Sequence, residues 1–229
     1  MRSDLLRSKA IIIVGASSGL GKALAEKLSK EDSSLYLLSR TIELVNFPFE
    51  VHKINCDVKD QISISEAFQQ VDKLTNTIDV IVNCVGVGLV KGLEETTKEE
   101  IKNVMQTNLL GAIFVSQEAY KRMLKNKSGH IINVVSTSGI KARPDETIYC
   151  ASKWGLRGFT ESLRLAAVTS KIRVTGIYPG GMQTNFWKGN EPKNLEEFMK
   201  PSDVAEQIVN VIKSPSSISP SEVVIERGL

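Results

Sequence analysis

The stretch that most constrains the fold is Gly15-Ala16-Ser17-Ser18-Gly19-Leu20-Gly21, which joins two segments of different period. Before it, Lys9 to Val14 is a compact β-branched run that predicts a strand. After it, Gly19 to Lys30 carries Leu20, Leu24 and Leu28 at helical spacing. A strand, a glycine-rich turn and a helix N-terminus make a ready anion site. The glycines let the backbone approach a pyrophosphate, and unpaired N–H groups with the helix dipole favour its charge. The spacing is GxxxGxG, not the commoner GxGxxG. The plain alternative is a strand–helix turn with convenient glycines.

The rest of the chain repeats the alternation of strand and helix. Leu35 to Leu38 predicts the second strand, ending at Ser39-Arg40. At that strand end a carboxylate would bind a ribose 2′-hydroxyl, whereas an Arg accommodates a 2′-phosphate. Ser39 stands where the acid would be, so Arg40 favours NADP(H) over NAD(H), unless it is simply solvated. Residues 41–50 include Pro48 and are too few for a full crossover helix, which leaves one turn or a loop. Val51 to Ile54 is the next strand, followed by Asp57 and Val58. Asp57 either accepts from an adenine amino group or caps a turn. Gln61 to Leu74 reads as an amphipathic helix.

Asp79 to Val82 is a strand leading to Asn83-Cys84-Val85-Gly86, a turn suited to border a ligand crevice. Thr97 to Leu124 predicts one long helix, with Thr97 and Glu100 forming a capping box and Asn108 inside it. His130 to Val135 is the strand that delivers Ser136. His130 and His52 are placed at exposed strand starts, away from a carboxyl-end crevice, and neither is given a catalytic role. Thr147 to Ser170 is a helix whose Gly155 and Gly158 point to close packing against another backbone. Ile172 to Tyr178 is a strand turning at Pro179-Gly180-Gly181, with Thr184 placed to bond a ligand amide or cap the next turn. The segment 185–200 is read as a mobile flap, Ser202 to Lys213 as a capped helix, and Glu222 to Ile225 as a last strand. Together these give an α/β fold: one domain over 1–229, a Rossmann-type doubly wound parallel sheet with helices on both faces.

Composition excludes several classes. A net charge of +3 with no block of like charge argues against nucleic acid or an anionic membrane as partner. No apolar stretch approaches the ~20 residues that span a bilayer. The short apolar run near the N-terminus ends in a glycine loop, not a cleavage site, so no signal peptide is read. Cys56, Cys84 and Cys150 form no metal or disulfide pattern; buried free thiols fit a reducing cytoplasm.

The chemistry centres on Tyr149 and Lys153, four apart on one helix face. A cation held near a phenol favours the phenolate and lowers a pKa that is ordinarily about 10, giving a proton donor or acceptor usable near neutral pH. Ser136 could steady a carbonyl oxygen while Tyr149 exchanges a proton with it.

GASSGLG at 15–21, Asp57-Val58, NCVG at 83–86, Asn108, Ser136, YCASK at 149–153 and PGGMQT at 179–184 together resemble the short-chain dehydrogenase/reductase family over nearly the whole chain. The resemblance implies hydride transfer between a nicotinamide cofactor and a carbonyl or alcohol. It implies Tyr149 as proton donor, Ser136 positioning the oxygen, and Lys153 holding the nicotinamide ribose and lowering the Tyr149 pKa. Asn108 would hold a water linking Lys153 to solvent. Gly15, Ser17, Ser18, Gly19, Leu20 and Gly21 would line the phosphates and adenosine, with Ser39, Arg40, Asp57 and Val58 at the adenosine end. Asn83 and Gly86 would border the ribose, and Pro179, Gly180 and Thr184 the nicotinamide. Val14 for the usual Thr and Cys84-Val85 for the usual Asn-Ala depart from the pattern while keeping the backbone path.

The function expected is an NADPH-dependent reductase of a ketone or aldehyde. The alternatives are an NAD-dependent alcohol dehydrogenase and a non-catalytic NADP(H)-sensing protein. Position assigns Ser138, Ile140, Met182, Phe186 and Trp187, with Val87, to the substrate end. By resemblance a homodimer or homotetramer is expected, pairing through 97–124 and 147–170. No metal is expected.

Overall fold

The computed structural model describes residues 6–228. The first five residues, part of the N-terminal segment read above, lie outside the described residues, as does Leu229. Seven strands form one sheet in the order β3-β2-β1-β4-β5-β6-β7, with every pairing parallel. They are β1 (Lys9–Val14), β2 (Ser33–Ser39), β3 (His52–Asn55), β4 (Val80–Asn83), β5 (Gly129–Val134), β6 (Ile172–Pro179) and β7 (Glu222–Ile225). The chain runs outward from β1 to β3 and then returns to the other side of β1 as β4. The carboxyl ends of β1 and β4 therefore flank a switch point, where open α/β sheets leave a crevice.

Alternation along β1 shows how the sheet is held. Ile11 and Ile13 point to one face and pack against α1 (Gly19–Leu28) and α6 (Pro201–Ile212). Ile12 and Val14 point to the other, where α2 (Gln61–Leu74) and α4 (Gly111–Asn126) cover them. All four are fully buried, as a strand covered on both faces demands.

Several expectations need correction. The helix expected over 97–124 runs without a break from Lys98 to Asn126, but its hydrogen bonding changes midway. Its capping box is present at Thr97 and Glu100, but α3 (Lys98–Met105) passes into a π-helical turn, Gln106–Leu110, before α4 resumes. Such a turn re-aims one residue of a helix, and here the segment contains the fully buried Asn108.

His130 is not at an exposed start but is 1% exposed, and its Nε2 lies 2.8 Å from Thr175 Oγ1. The Thr175 hydroxyl donates to Pro220 O, so the histidine N–H must be the donor in that pair. Burial depresses its pKa to about 3, the neighbouring Arg173 charge adding to the effect. His52 is half-buried and stacks on Tyr36.

In α5 (Thr147–Ala167) a Cβ at Gly155 would meet the Leu109 side chain at 3.0 Å, whereas Gly158 faces open space and needs no close neighbour. The last helix begins at Pro201, fitted to a first helical position by its fixed φ, and has no side-chain cap; Ser202 bonds Asp203 instead.

Cys56 and Cys150 are buried free thiols, and Cys84 is a half-buried one. Among the described residues no helix is long and apolar enough to cross a membrane, and no cluster of metal-ligating side chains occurs.

Candidate active site

A cavity of about 570 Å³ opens at the carboxyl ends of the strands, around the switch point. One end is made by the loop after β1. Gly15 has φ +82°, a left-handed conformation that favours glycine, and a Cβ on Gly21 would collide with the Gly15 carbonyl. This close approach brings the start of α1 up against the strand end. Ser18 makes no side-chain cap to α1, so its first-turn N–H groups are left for an anion.

Arg40 and Lys59 line the same end, with Thr41 and Asp57. Arg40 is exposed, and its guanidinium has no ion-pair partner among the described residues. Ser39 Oγ accepts from Thr41 N at 3.3 Å, and Asp57 Oδ1 accepts from Lys59 N at 3.0 Å. Asp57 therefore caps a turn with one oxygen. Lys59, a second cation at this end, was not singled out from the sequence; its place in the cavity depends on the turn that Asp57 closes. Glycine loop, uncapped helix end and two cations fit a dinucleotide.

At the other end stand Ser136, Tyr149 and Lys153. β5 delivers Ser136 in a strained backbone conformation, φ +146°, uncommon for a residue with a side chain. Its Oγ accepts from Ser138 N at 3.0 Å, which leaves its own hydroxyl proton free to donate. Tyr149 is buried, and that burial drives its pKa well above the ordinary phenol value; Ser136 pulls the other way and Glu146 adds to the rise. The expected lowering by Lys153 is not what this geometry gives. The Lys153 ammonium lies 5.8 Å from the Tyr149 ring centre and donates to Val134 O at 3.1 Å. Burial lowers the Lys153 pKa to about 8, and the nearby Cys84 opposes that fall. The Cys84 thiol is pushed up to about 12 by its own burial.

The cavity wall contains Gly15, Ser17, Ser18, Gly19, Leu20, Ser39, Arg40, Asp57, Val58, Gly86, Pro179, Gly180 and Thr184. Four expected residues stand outside it. Gly21 works behind the wall through its contact with Gly15. Asn83 is buried, its Oδ1 accepting from Val85 N at 3.3 Å, so it shapes the turn from within. Ile140 packs against Ala112, Val135, Leu156 and Tyr178, an apolar cluster that draws it away from the cavity. Asn108 is likewise committed to protein partners. Its Oδ1 accepts from Val87 N at 2.8 Å, and its Nδ2 donates to Val87 O at 2.9 Å and Ser152 Oγ at 3.2 Å.

The segment after β6 covers the Tyr149 end of the cavity. Thr184 Oγ1 accepts from Phe186 N at 3.3 Å, so it caps the turn Asn185–Trp187. Gln183 Nε2 donates to Glu196 O and Phe198 O, and Trp187 Nε1 donates to Met182 O. Phe186, Trp187 and Phe198 then form a ladder of edge-to-face rings that continues onto Tyr149. Gly88 makes room for it: a Cβ there would lie 2.7 Å from the Phe186 ring. Ser138, Met182, Phe186 and Trp187 all line the cavity. Glu146, absent from the expected set, lines it too.

Comparison with known proteins identifies the family. The model of a family described as short chain dehydrogenase matches residues 9–195. The chain is 30% identical over 220 residues to carbonyl reductase family member 4 of Danio rerio, covering 91% of this chain and 92% of that one. It is 30% identical to sepiapterin reductase of Chlorobaculum tepidum, covering 94% of each chain. Among solved structures, an alcohol dehydrogenase from Thermococcus sibiricus complexed with 5-hydroxy-NADP superposes with a TM-score of 0.86 at 25% identity, over 96% of both chains. Actinorhodin polyketide ketoreductase with NADPH gives 0.86 at 26% identity, over 97% of both.

Proposed function

This chain belongs to the short chain dehydrogenase family, and on that premise we propose that it is an NADPH-dependent reductase of ketones or aldehydes. The observation that carries the reading is one cavity with Ser136, Tyr149 and Lys153 at one end and Arg40 with Lys59 at the other. The relatives named as a carbonyl reductase and a sepiapterin reductase, and the NADP-type ligands in the two solved structures, support it.

The dinucleotide, when bound, supplies the hydride that reduces the carbonyl carbon. The chain supplies the proton and the geometry. Tyr149 holds a proton on Oη across neutral pH, because burial keeps the phenol protonated, and gives it to the carbonyl oxygen. Ser136, with its lone pair engaged by Ser138 N–H, donates its hydroxyl proton to the same oxygen. Lys153 spends one N–H on Val134 O and keeps two for the ribose hydroxyls. Asn108 acts as a positioning residue by fixing Val87 beside the cavity. The segment 185–200 serves as the cover that keeps water from the reacting oxygen. Arg40 and Lys59 hold a 2′-phosphate, which sets NADPH above NADH and counts against an NAD-dependent alcohol dehydrogenase. Retention of Ser136, Tyr149 and Lys153 counts against a sensor without turnover. We place the protein in the cytoplasm as a homodimer or homotetramer, with exposed apolar Leu110, Trp154 and Leu165 available for pairing.

The test is NADPH consumption over a panel of aldehydes and ketones, in wild type and Tyr149→Phe. Removal of a general acid is expected to cost about 100-fold or more in kcat. Unchanged turnover in the variant would refute the assignment of Tyr149.

A further inference from the structure

Glu146 and Asp57 are the two carboxylates in the cavity wall among the described residues, and Glu146 is the one at the Tyr149 end. It immediately precedes α5, three residues before Tyr149, and its side chain is 11% exposed. Ser138 Oγ donates to its Oε2 at 2.7 Å. Arg143 Nε lies 3.8 Å from that same oxygen, beyond hydrogen-bond reach, on a side chain 47% exposed. Oε1 makes no hydrogen bond with a described residue. An ionised carboxylate has about four acceptor positions, and a buried one stays costly until they are used. One hydroxyl is its hydrogen-bond donor among the described residues, and Oε1, not sealed away as a buried orphan, keeps its acceptor positions open on a residue that lines the cavity.

We propose that Glu146 is a specificity-determining residue whose free Oε1 accepts a hydrogen bond from an O–H or N–H group of the substrate. The carbonyl compounds taken would then carry a hydrogen-bond donor near the reacting carbonyl. The inference rests on the reductase reading above. It opposes an acidic substrate held by Arg143, since the deeper group is the acid and the base stands nearer the solvent.

The experiment uses three meta-substituted benzaldehydes of similar shape, bearing hydroxymethyl, methyl or carboxylate, with NADPH. Wild type is expected to favour hydroxymethyl over methyl by about tenfold in kcat/KM, the worth of one hydrogen bond to a charged group. Glu146→Leu abolishes that preference, whereas Glu146→Gln, which keeps an acceptor oxygen, retains most of it. A second readout needs no turnover. Binding of the corresponding benzyl alcohols to the NADP-loaded protein, followed by tryptophan fluorescence, gives the same order. Equal treatment of hydroxymethyl and methyl by wild type in both readouts overturns the proposal, as does a preference that persists in Glu146→Leu. Tightest use of the carboxylate overturns it in favour of Arg143. If no aldehyde is reduced, the reductase reading fails, and the order of alcohol binding still decides the role of Glu146.

Discussion

The Phe186 ring meets the Tyr149 ring edge to face, with centres 5.2 Å apart and planes at 67°. A flap residue is thus part of the apolar shell that raises the phenol pKa. Phe186→Ala would let water reach the ring and bring that pKa down toward the free value of about 10. The alkaline absorbance titration of Tyr149, read as wild type minus Tyr149→Phe and repeated in the Phe186→Ala background, is expected to move to lower pH. No movement would mean that other walls keep the phenol dry.

Arg40 and Lys59 face one end of the cavity from two different strand ends. Each charge-assisted contact to a phosphate is worth about 1.5–3 kcal/mol, so Arg40→Ala is expected to weaken NADPH binding about tenfold or more. NADH binding should change little. Lys59→Ala should act in the same direction with a smaller effect, because its ammonium also reaches Asn103 Oδ1 at 3.4 Å. Fluorescence titration with both dinucleotides checks this, and equal losses for NADH would remove the 2′-phosphate argument.

Asn108 ties Val87 to Ser152 through three hydrogen bonds in a fully buried position. Asn108→Ala leaves Val87 N–H and C=O without those partners, at a cost of about 1–3 kcal/mol each where no water replaces them. Chemical denaturation is expected to show lowered stability, and dinucleotide titration a weaker affinity. Asn108→Asp, which keeps the acceptor for Val87 N but loses the donors, should fall between wild type and alanine. Wild-type stability in the alanine variant would refute the bracing role.

His130 makes an acid-sensitive contribution. Its folded pKa of about 3 lies below the ordinary 6.5, so between those values the unfolded chain binds a proton that the folded one does not. Stability attributable to His130 is therefore complete above about pH 6.5 and falls as the pH drops through that window, by on the order of 5 kcal/mol at its limit. His130→Gln keeps a donor for Thr175 and removes the titration. Denaturation at pH 7 and pH 4 should show a smaller acid loss in the variant; equal losses would locate the acid sensitivity elsewhere.

What the sequence made legible was mostly local. The period change around Gly15 to Gly21 located β1 and α1, and the i, i+4 spacing put Tyr149 and Lys153 on one helix face. Non-local facts were out of reach. Whether the start of β5 is open depends on Pro220, ninety residues beyond His130, closing over it through Thr175. The π-helical turn at 106–110 leaves no trace in composition, since one added residue in a turn changes neither polarity nor propensity. The shift in the Tyr149 pKa was misjudged because proximity to Lys153 was counted and burial was not. Ile140 was drawn into a packed cluster, whereas Glu146 was held at the wall by a hydroxyl eight residues earlier.

The all-parallel order of the sheet has a consequence for how the protein is made. No two adjacent strands are joined by a tight hairpin, and the partners β1 and β4 are brought together only after β2, β3 and the helices between them have intervened. Such non-local pairing slows folding relative to locally connected topologies. The cavity takes its wall from Val14 through Phe198, so it does not exist until that assembly is finished. Dinucleotide binding should consequently be among the last signals to recover when the denatured chain is returned to native conditions, arriving after the far-ultraviolet helical signal.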